Sequence, residues 1–221
     1  MRELVLIWGA GGHGKVVADL VRAAGHAVVG YADADQAKWG AAVEPGGATV
    51  VISEAELVQL LDQDGGGSLP CRATAIALAL GDNDTRLRCA RRAARALMPA
   101  LVHPAATVSE SAQLGPGTVV FAGAVVNAAA TVGSAAIINS AAVVEHDCTV
   151  GDGAHIAPGA VLTGGVNVGQ SALVGARAVV LPGVTIEADA LIGAGSVVVG
   201  DVKAGMVVAG VPARVLRQRA T

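Results

Sequence analysis

The sequence predicts a small open α/β domain followed by an all-β solenoid, and three observations carry that prediction. From Val102 to Val198 an aliphatic residue recurs every sixth position, and all 17 of those positions hold Val, Ile or Leu. Aromatics make up 2% of the chain while glycine occurs 30 times, which suits thin stacked layers better than a conventional globular core. Ahead of the repeat, "ELVLIWGAGGHGKVVADLVRAAG" reads as a strand, a glycine turn and an amphipathic helix. The domains are expected at residues 1–100 and 101–221.

The repeat has a simple physical reading. Two residues before most of the aliphatic positions stands a small residue: Ala124, Ala130, Ala136, Ala142, Cys148, Ala154 and Ala160 follow the rule. Residues two apart on a strand share a face, so both members of each pair point inward. Corners between strands take turn residues, as in "GDG" at Gly151 to Gly153 and "LPG" at Leu181 to Gly183. Three units close one triangular coil, which gives about five and a half coils. An amphipathic helix cannot keep a period of six on one face, and the glycines oppose it.

The first hundred residues follow α/β grammar. "ELVLIWG" is a buried strand, "HGKVVADLVRAAG" a helix closed by Gly25, and "HAVVGYADAD" a second strand, together a βαβ unit. Ser53 is an N-cap for the helix of "SEAELVQLLDQD". Gly65 to Ser68 reads as a flexible loop, and "ATAIALALGDND" as a strand ending in a polar turn. A helix is predicted from Thr85 to Leu97, stopped by Pro99, with Arg86, Arg88, Arg91, Arg92 and Arg95 on a solvated face.

Bulk properties exclude several classes. A net charge of −3 argues against nucleic acid and anionic membrane as partners. Cys71, Cys89 and Cys148 are widely spaced and form neither a disulfide framework nor a zinc motif. No apolar run approaches the roughly 20 residues that span a bilayer. With no leader pattern at the start, the expected location is the cytoplasm.

Two segments carry chemistry. Gly9 to Gly14, "GAGGHG", satisfies G-x-G-x-x-G between a strand and a helix, where backbone amides and the helix dipole receive a phosphate. Asp33 ends the second strand, where it can accept from a sugar hydroxyl, so a nucleotide or nucleotide sugar is the expected ligand. An NAD-dependent dehydrogenase is the rival, but a solenoid stands where its substrate domain belongs. In the solenoid, "VVEHDCTVGDGAH" places His146 at a corner beside Asp147, a pattern for a general base and its orienting acid. A solvated polar corner is the plain alternative. His155, one residue before inward Ile156, is expected to point outward. Only His103, His146 and His155 lie in the solenoid, and His103 is more than two coils away, so no metal is expected.

Taken together, "GAGGHG", "LGDND", "LVHPAATVS", "INSAAVVEHDC", "GAHIAPGAVLTGG" and the terminal "GVPARV" resemble one family along nearly the whole chain. It is the bacterial sugar acyltransferases of the sialic-acid O-acetyltransferase and bacillosamine-pathway nucleotide-sugar N-acetyltransferase type. The resemblance implies a Rossmann-like N-terminal domain and a left-handed parallel β-helix of hexapeptide repeats, assembled as a homotrimer with active sites between subunits. It implies acetyl-CoA as co-substrate and a nucleotide-linked amino sugar as acceptor. By position, His146 matches the catalytic base and Asp147 its orienting acid. His155 matches the histidine near the thioester, and Gly164, Ala176 and Ala194 the cofactor groove. Gly11, Gly12 and His13 match the diphosphate loop, and Asp33 and Gly81 the nucleoside- and sugar-side contacts. Arg214 falls in the C-terminal loop that flanks the cofactor. Ala34 and Asp82 depart from residues that some members carry, which leaves base and sugar open. Asn139, on the coil before His146, reads equally as a cleft residue or a turn asparagine. Within the resemblance the implied reaction is N-acetylation, with O-acetylation of a sialic-acid-type sugar as the alternative. Outside it stands a non-catalytic nucleotide-sugar scaffold.

Overall fold

In the computed structural model the chain divides into two compact units, Met1–Leu101 and Val102–Thr221. Residues 2–45, 47–62, 69–93 and 98–219 are described. The predicted loop at Gly65 to Ser68, and the end of the predicted arginine helix with Arg95, lie outside them.

The first unit is a four-stranded parallel sheet. Its strands are β1 (Leu4–Trp8), β2 (Ala27–Asp33), β3 (Val50–Ser53) and β4 (Ala75–Leu78), in the order β3-β2-β1-β4. Val5, Leu6 and Ile7 are fully buried, as a strand covered on both faces requires. Helix α1 (Gly12–Ala23) follows β1 and buries Val17, Ala18, Leu20 and Val21 on one side. Helix α2 (Glu54–Asp62) opens with a capping box. The Glu56 amide donates to Ser53 Oγ, and Ser53 N donates back to the Glu56 carboxylate, each at 3.1 Å.

Helix α3 (Asn83–Arg92) starts earlier than its apolar pattern indicates. Asp82 is the N-cap, its Oδ1 accepting from Thr85 N at 2.9 Å. Arg86 points inward with Leu87 and Ala90, so it does not belong to the expected solvated face. Its guanidinium donates to Leu80 O at 2.9 Å and Asn83 Oδ1 at 2.8 Å, which pins the turn after β4. Burial pushes this guanidinium down to about 10, still charged at neutral pH.

The second unit is the predicted β-helix. Its two-residue rungs pair in parallel, with Ile137 beside His155 and His155 beside Leu173, a step of 18 residues. The rungs line three faces of a triangular prism, in sheets of six and five strands and one of eight that counts two strands of the C-terminal hairpin. The interior is the column predicted from the period: Val144, Ala142, Ile156, Ala154, Leu162 and Ala160 are all fully buried. Each large aliphatic side chain so buried contributes roughly 1.5–3 kcal/mol. Between coils the backbones approach closely at one corner. A Cβ on Gly133 would lie 2.7 Å from Asp152 N, and one on Gly151 would lie 2.6 Å from Gln170 N.

The chain ends differently from the expected tail. Strands Met206–Gly210 and Ala213–Gln218 form an antiparallel hairpin, and the first of them extends the eight-stranded sheet beside Leu191–Ile192. "GVPARV" therefore makes the turn and the start of a strand.

Candidate active site

The corner after the rung Val143–Val144 carries His146 and Asp147. Asp147 adopts φ +61°, a left-handed conformation that Asp tolerates better than most residues. That twist, with Asp147 N donating to Ala128 O at 3.1 Å, turns the carboxylate back on its neighbour. Asp147 Oδ2 lies 2.7 Å from His146 Nδ1. The bond assigns the Nδ1 proton to Asp147, leaves Nε2 as the basic nitrogen and raises the imidazole above its usual pKa. Both side chains are well exposed, at 62% and 67%. One coil on, Gly164 faces the ring: a Cβ there would sit 2.6 Å from His146 Cε1 and 2.7 Å from Nε2. Gly165 N donates to His146 O at 2.9 Å, locking the two corners together.

His155 occupies a rung of the eight-stranded sheet and points outward while Ile156 points in. Asn139 Nδ2 lies 3.0 Å from His155 Nε2, and Ser140 N donates to Asn139 Oδ1 at 2.8 Å. With the amide oxygen occupied, the NH2 end donates to the ring, so Nε2 is unprotonated and the His155 proton sits on Nδ1. Ala176 and Ala194 stand one above the other, with Gly195 N donating to Ala176 O at 2.8 Å, on the edge between the eight- and six-stranded sheets. His146 and Gly164 share the edge between the six- and five-stranded sheets. Within one β-helix a prism face therefore separates the two sets.

Cys148 faces the core, donates to Thr163 O at 3.2 Å and is pushed up in pKa by burial, so it stays a thiol beside the pair. His103 Nδ1 accepts from Ala105 N at 3.0 Å in a local turn. Arg214 is exposed and donates to its neighbour's carbonyl, Ala213 O, at 2.8 Å. No group of three or more His, Cys, Asp or Glu suited to a metal ion occurs among the described residues. Nor is any helix there long and apolar enough to cross a membrane.

In the α/β unit the glycines of the loop divide by duty. A Cβ on Gly9 would lie 2.7 Å from Ala79 O, and one on Gly14 would lie 2.4 Å from Gly9 O; these two allow helix and strands to pack. Gly11 and Gly12 would meet nothing within 4 Å, so their open side faces space. Gly11 caps α1 without a side-chain bond, and no acidic residue occupies the first turn. His13 sits in that turn, half-buried; burial, then the Arg86 charge, lower its pKa and keep it neutral. Gly81 also meets open space, at the exposed turn before α3. Asp33 faces the loop. Its Oδ2 accepts from Ala10 N at 2.7 Å, its Oδ1 from Asp35 N at 2.9 Å, and Lys38 Nζ reaches both at 3.2 Å. Burial alone would raise this carboxyl, but the amides and Lys38 hold it below its usual range. A carboxylate has about four acceptor sites, so Asp33 is already filled as a loop fastener.

Two family models match separate stretches of the chain. Residues 4–93 match the PglD N-terminal domain model, and residues 129–164 and 165–200 match the bacterial transferase hexapeptide model. No curated protein sequence matches the chain. Among solved structures, PerB from Caulobacter crescentus in complex with CoA and GDP-perosamine is 39% identical, with 97% of each chain covered and a TM-score of 0.84. The acetyltransferase domain of PglB from Neisseria gonorrhoeae is 36% identical over 97% of this chain and 100% of its own, with a TM-score of 0.84. WeeI from Acinetobacter baumannii shares the fold at 20% identity, 96% and 99% coverage and a TM-score of 0.65. With its glycine loop, hexapeptide prism and corner His–Asp pair, the chain belongs to the bacterial sugar acyltransferase family and is an acyltransferase.

Proposed function

We propose that the protein transfers the acetyl group of acetyl-CoA to the amine of a nucleotide-linked amino sugar. The observation that carries this reading is the His146–Asp147 pair at a solenoid corner, with Nε2 over the bare backbone of Gly164. His146 Nε2 takes the proton as the sugar nitrogen attacks the thioester carbonyl. Backbone amides stabilise the tetrahedral oxyanion. The C–S bond then breaks, coenzyme A leaves as thiolate, and the imidazolium returns the proton to it. Asp147 orients the ring and stabilises its charged form. No covalent acyl-enzyme is needed, in keeping with the buried thiol of Cys148.

The cofactor lies against His155, Gly164, Ala176 and Ala194. Ala176 and Ala194 sit on one edge of the prism, Gly164 on another and His155 on the eight-stranded face, so the complete site forms between copies of the chain in a homotrimer. Unequal faces support this assembly. The six-stranded face carries an outward column of half-buried valines, Val125, Val143, Val161, Val179 and Val197, whereas the five-stranded face shows mostly exposed Thr131, Thr149 and Asn167. Sedimentation equilibrium tests it, with three times the 21.6 kDa chain mass expected. The nucleotide sugar's diphosphate is received by Gly11, Gly12 and His13, where open space meets the uncapped end of α1. Gly81 borders the nucleoside side.

Thiol release from acetyl-CoA with a panel of nucleotide-linked amino sugars tests the reaction, wild type beside His146→Ala. Rapid release with one sugar, reduced about 10²–10⁴-fold in the variant, is the expected result. Release unchanged by the substitution would overturn the mechanism, and release with hydroxyl acceptors alone would move the reaction to O-acetylation.

A further inference from the structure

Between Val102 and Val202 the β-helix carries seven acids and a single Lys or Arg, Arg177. That one cation stands on the edge between the eight- and six-stranded sheets, between Ala176 and the six-stranded rung Val179–Val180. Other coils hold Gly123, Ala141, Gly159 and Gly195 at this corner, with φ between +54° and +70°. Arg177 takes φ +56°, left-handed backbone that favours glycine. Its side chain runs back along the edge toward the earlier coils. A Cβ on Gly159, one coil below, would lie 3.3 Å from Arg177 Cγ, so a bare backbone makes room for it.

The edge that carries the base holds an acid in the matching place. Glu145 stands between the six-stranded rung Val143–Val144 and His146, on the six-stranded side of that edge. Its carboxylate accepts one bond, from His146 N at 3.3 Å, whereas Asp147 is engaged with the His146 ring. Neither Glu145 nor Arg177 forms an ion pair among the described residues. Other acids of the stretch have duties or lie elsewhere. Asp152, Glu187 and Asp201 each accept from a backbone amide of an adjoining coil. Glu110 lies about two coils below Glu145, and Asp189 is on the third edge.

Within one prism the six-stranded face separates the two charges. Prisms set side by side about a three-fold axis along their length bring the base-bearing edge of one to the Ala176 edge of the next, at equal heights. One coil takes 18 residues. Gly159, over which Arg177 lies, follows Glu145 by 14 residues, so at about 4.8 Å per coil it stands only about 4 Å higher. We infer that Arg177 reaches across the subunit boundary to Glu145 of the neighbouring copy and closes the six-stranded side of the cleft beside His146. The inference rests on the homotrimer reading above and deepens it, because each copy then supplies its lone cation to a neighbour's catalytic corner.

Cross-linking reads the distance. Cys71→Ser first removes the exposed native thiol. In that background Glu145→Cys with Arg177→Cys is treated with a short bismaleimide, and covalent dimers and trimers are expected on a denaturing gel. Either single-cysteine variant should give far fewer. Charge reversal reads the attraction. Arg177→Glu should raise the concentration at which the trimer dissociates roughly tenfold or more, followed by sedimentation at low ionic strength. Adding Glu145→Arg should restore most of the loss. Monomers alone after cross-linking, or no rescue in the double reversal, overturns the inference. So does Arg177→Glu that raises only KM for acetyl-CoA and leaves assembly unchanged, since Arg177 is then a cofactor contact. If the wild type is a trimer and transfers acetyl groups in any of these cases, the proposed function stands without the contact. A wild type that forms no trimer removes the assembly and the contact together, while thiol release with an amino sugar still decides the reaction.

Discussion

The glycine loop of the α/β unit and the His146 corner of the β-helix solve related problems by opposite means. Each clears space by omitting a side chain, at Gly11 and Gly12 in one and at Gly164 in the other. In the loop the empty space itself is the feature, and in the proposed reading backbone amides and a helix end receive the diphosphate there. At the corner the empty space serves a neighbour: Gly164 is bare so that the His146 ring can lie across it. A methyl group should therefore act in the loop through the ligand, and at the corner through another residue.

Gly164→Ala should show the larger effect. Its Cβ would fall 2.6–2.7 Å from the imidazole, and the side chain rather than the backbone would yield. Displacing a base by an ångström costs on the order of 100-fold in rate, roughly 2.7 kcal/mol. Steady-state kinetics should show kcat falling that far, while the thermal unfolding midpoint stays within a degree or so of wild type. A fall in stability with kcat intact would remove the distinction between corner and loop.

The loop separates its own glycines on a smaller scale. Gly14→Ala drives a methyl group to 2.4 Å from Gly9 O, a backbone atom that cannot step aside, so about 1–3 kcal/mol of stability should be lost. Gly11→Ala meets nothing, and its φ of −87° and ψ of −165° are open to alanine. Calorimetry should find a smaller loss than in Gly14→Ala, at most the roughly 1 kcal/mol of alanine at an N-cap, while KM for the nucleotide sugar rises roughly tenfold. Equal stability losses in both variants would mean that the open side of Gly11 is needed for folding rather than for a ligand.

The sequence exposed these two regions unequally, for physical reasons. A period of six constrains every inward position, so one repeat shows where each solenoid side chain points, His146 and His155 included. Arg86 escaped the same treatment. Helical spacing puts Arg86 on one stripe with Asn83 and Ala90, but a charged residue reads as solvated unless its buried acceptors, here Leu80 O and Asn83 Oδ1, are known. Asp33 was visible as a strand-end acid, but its filling by Ala10, Asp35 and Lys38 depends on backbone atoms that no side-chain pattern records.

The finest test of the corner is its pH dependence. Hydrogen bonding to Asp147, then the charges of Asp147 and Glu145, raise the His146 pKa. The base form is the deprotonated one, so kcat/KM should fall as pH drops through that raised value, above 6.5 for an ordinary histidine. The stability linkage has the opposite sense: a raised folded pKa favours the fold at low pH and loses that contribution as pH rises through it. Activity and pair stability therefore change in opposite directions over the same window. Asp147→Asn keeps a residue that accepts a positive φ and can still take the Nδ1 proton's hydrogen bond, but it removes the charge. The acid limb of the kcat/KM profile should then move to lower pH, and the plateau should drop because the imidazole is a weaker base. The loop supplies the control. His13 is already held neutral by burial and Arg86, so it should add no second limb near neutrality. A limb that stays in place in Asp147→Asn would separate the two residues and leave Asp147 as a turn former alone.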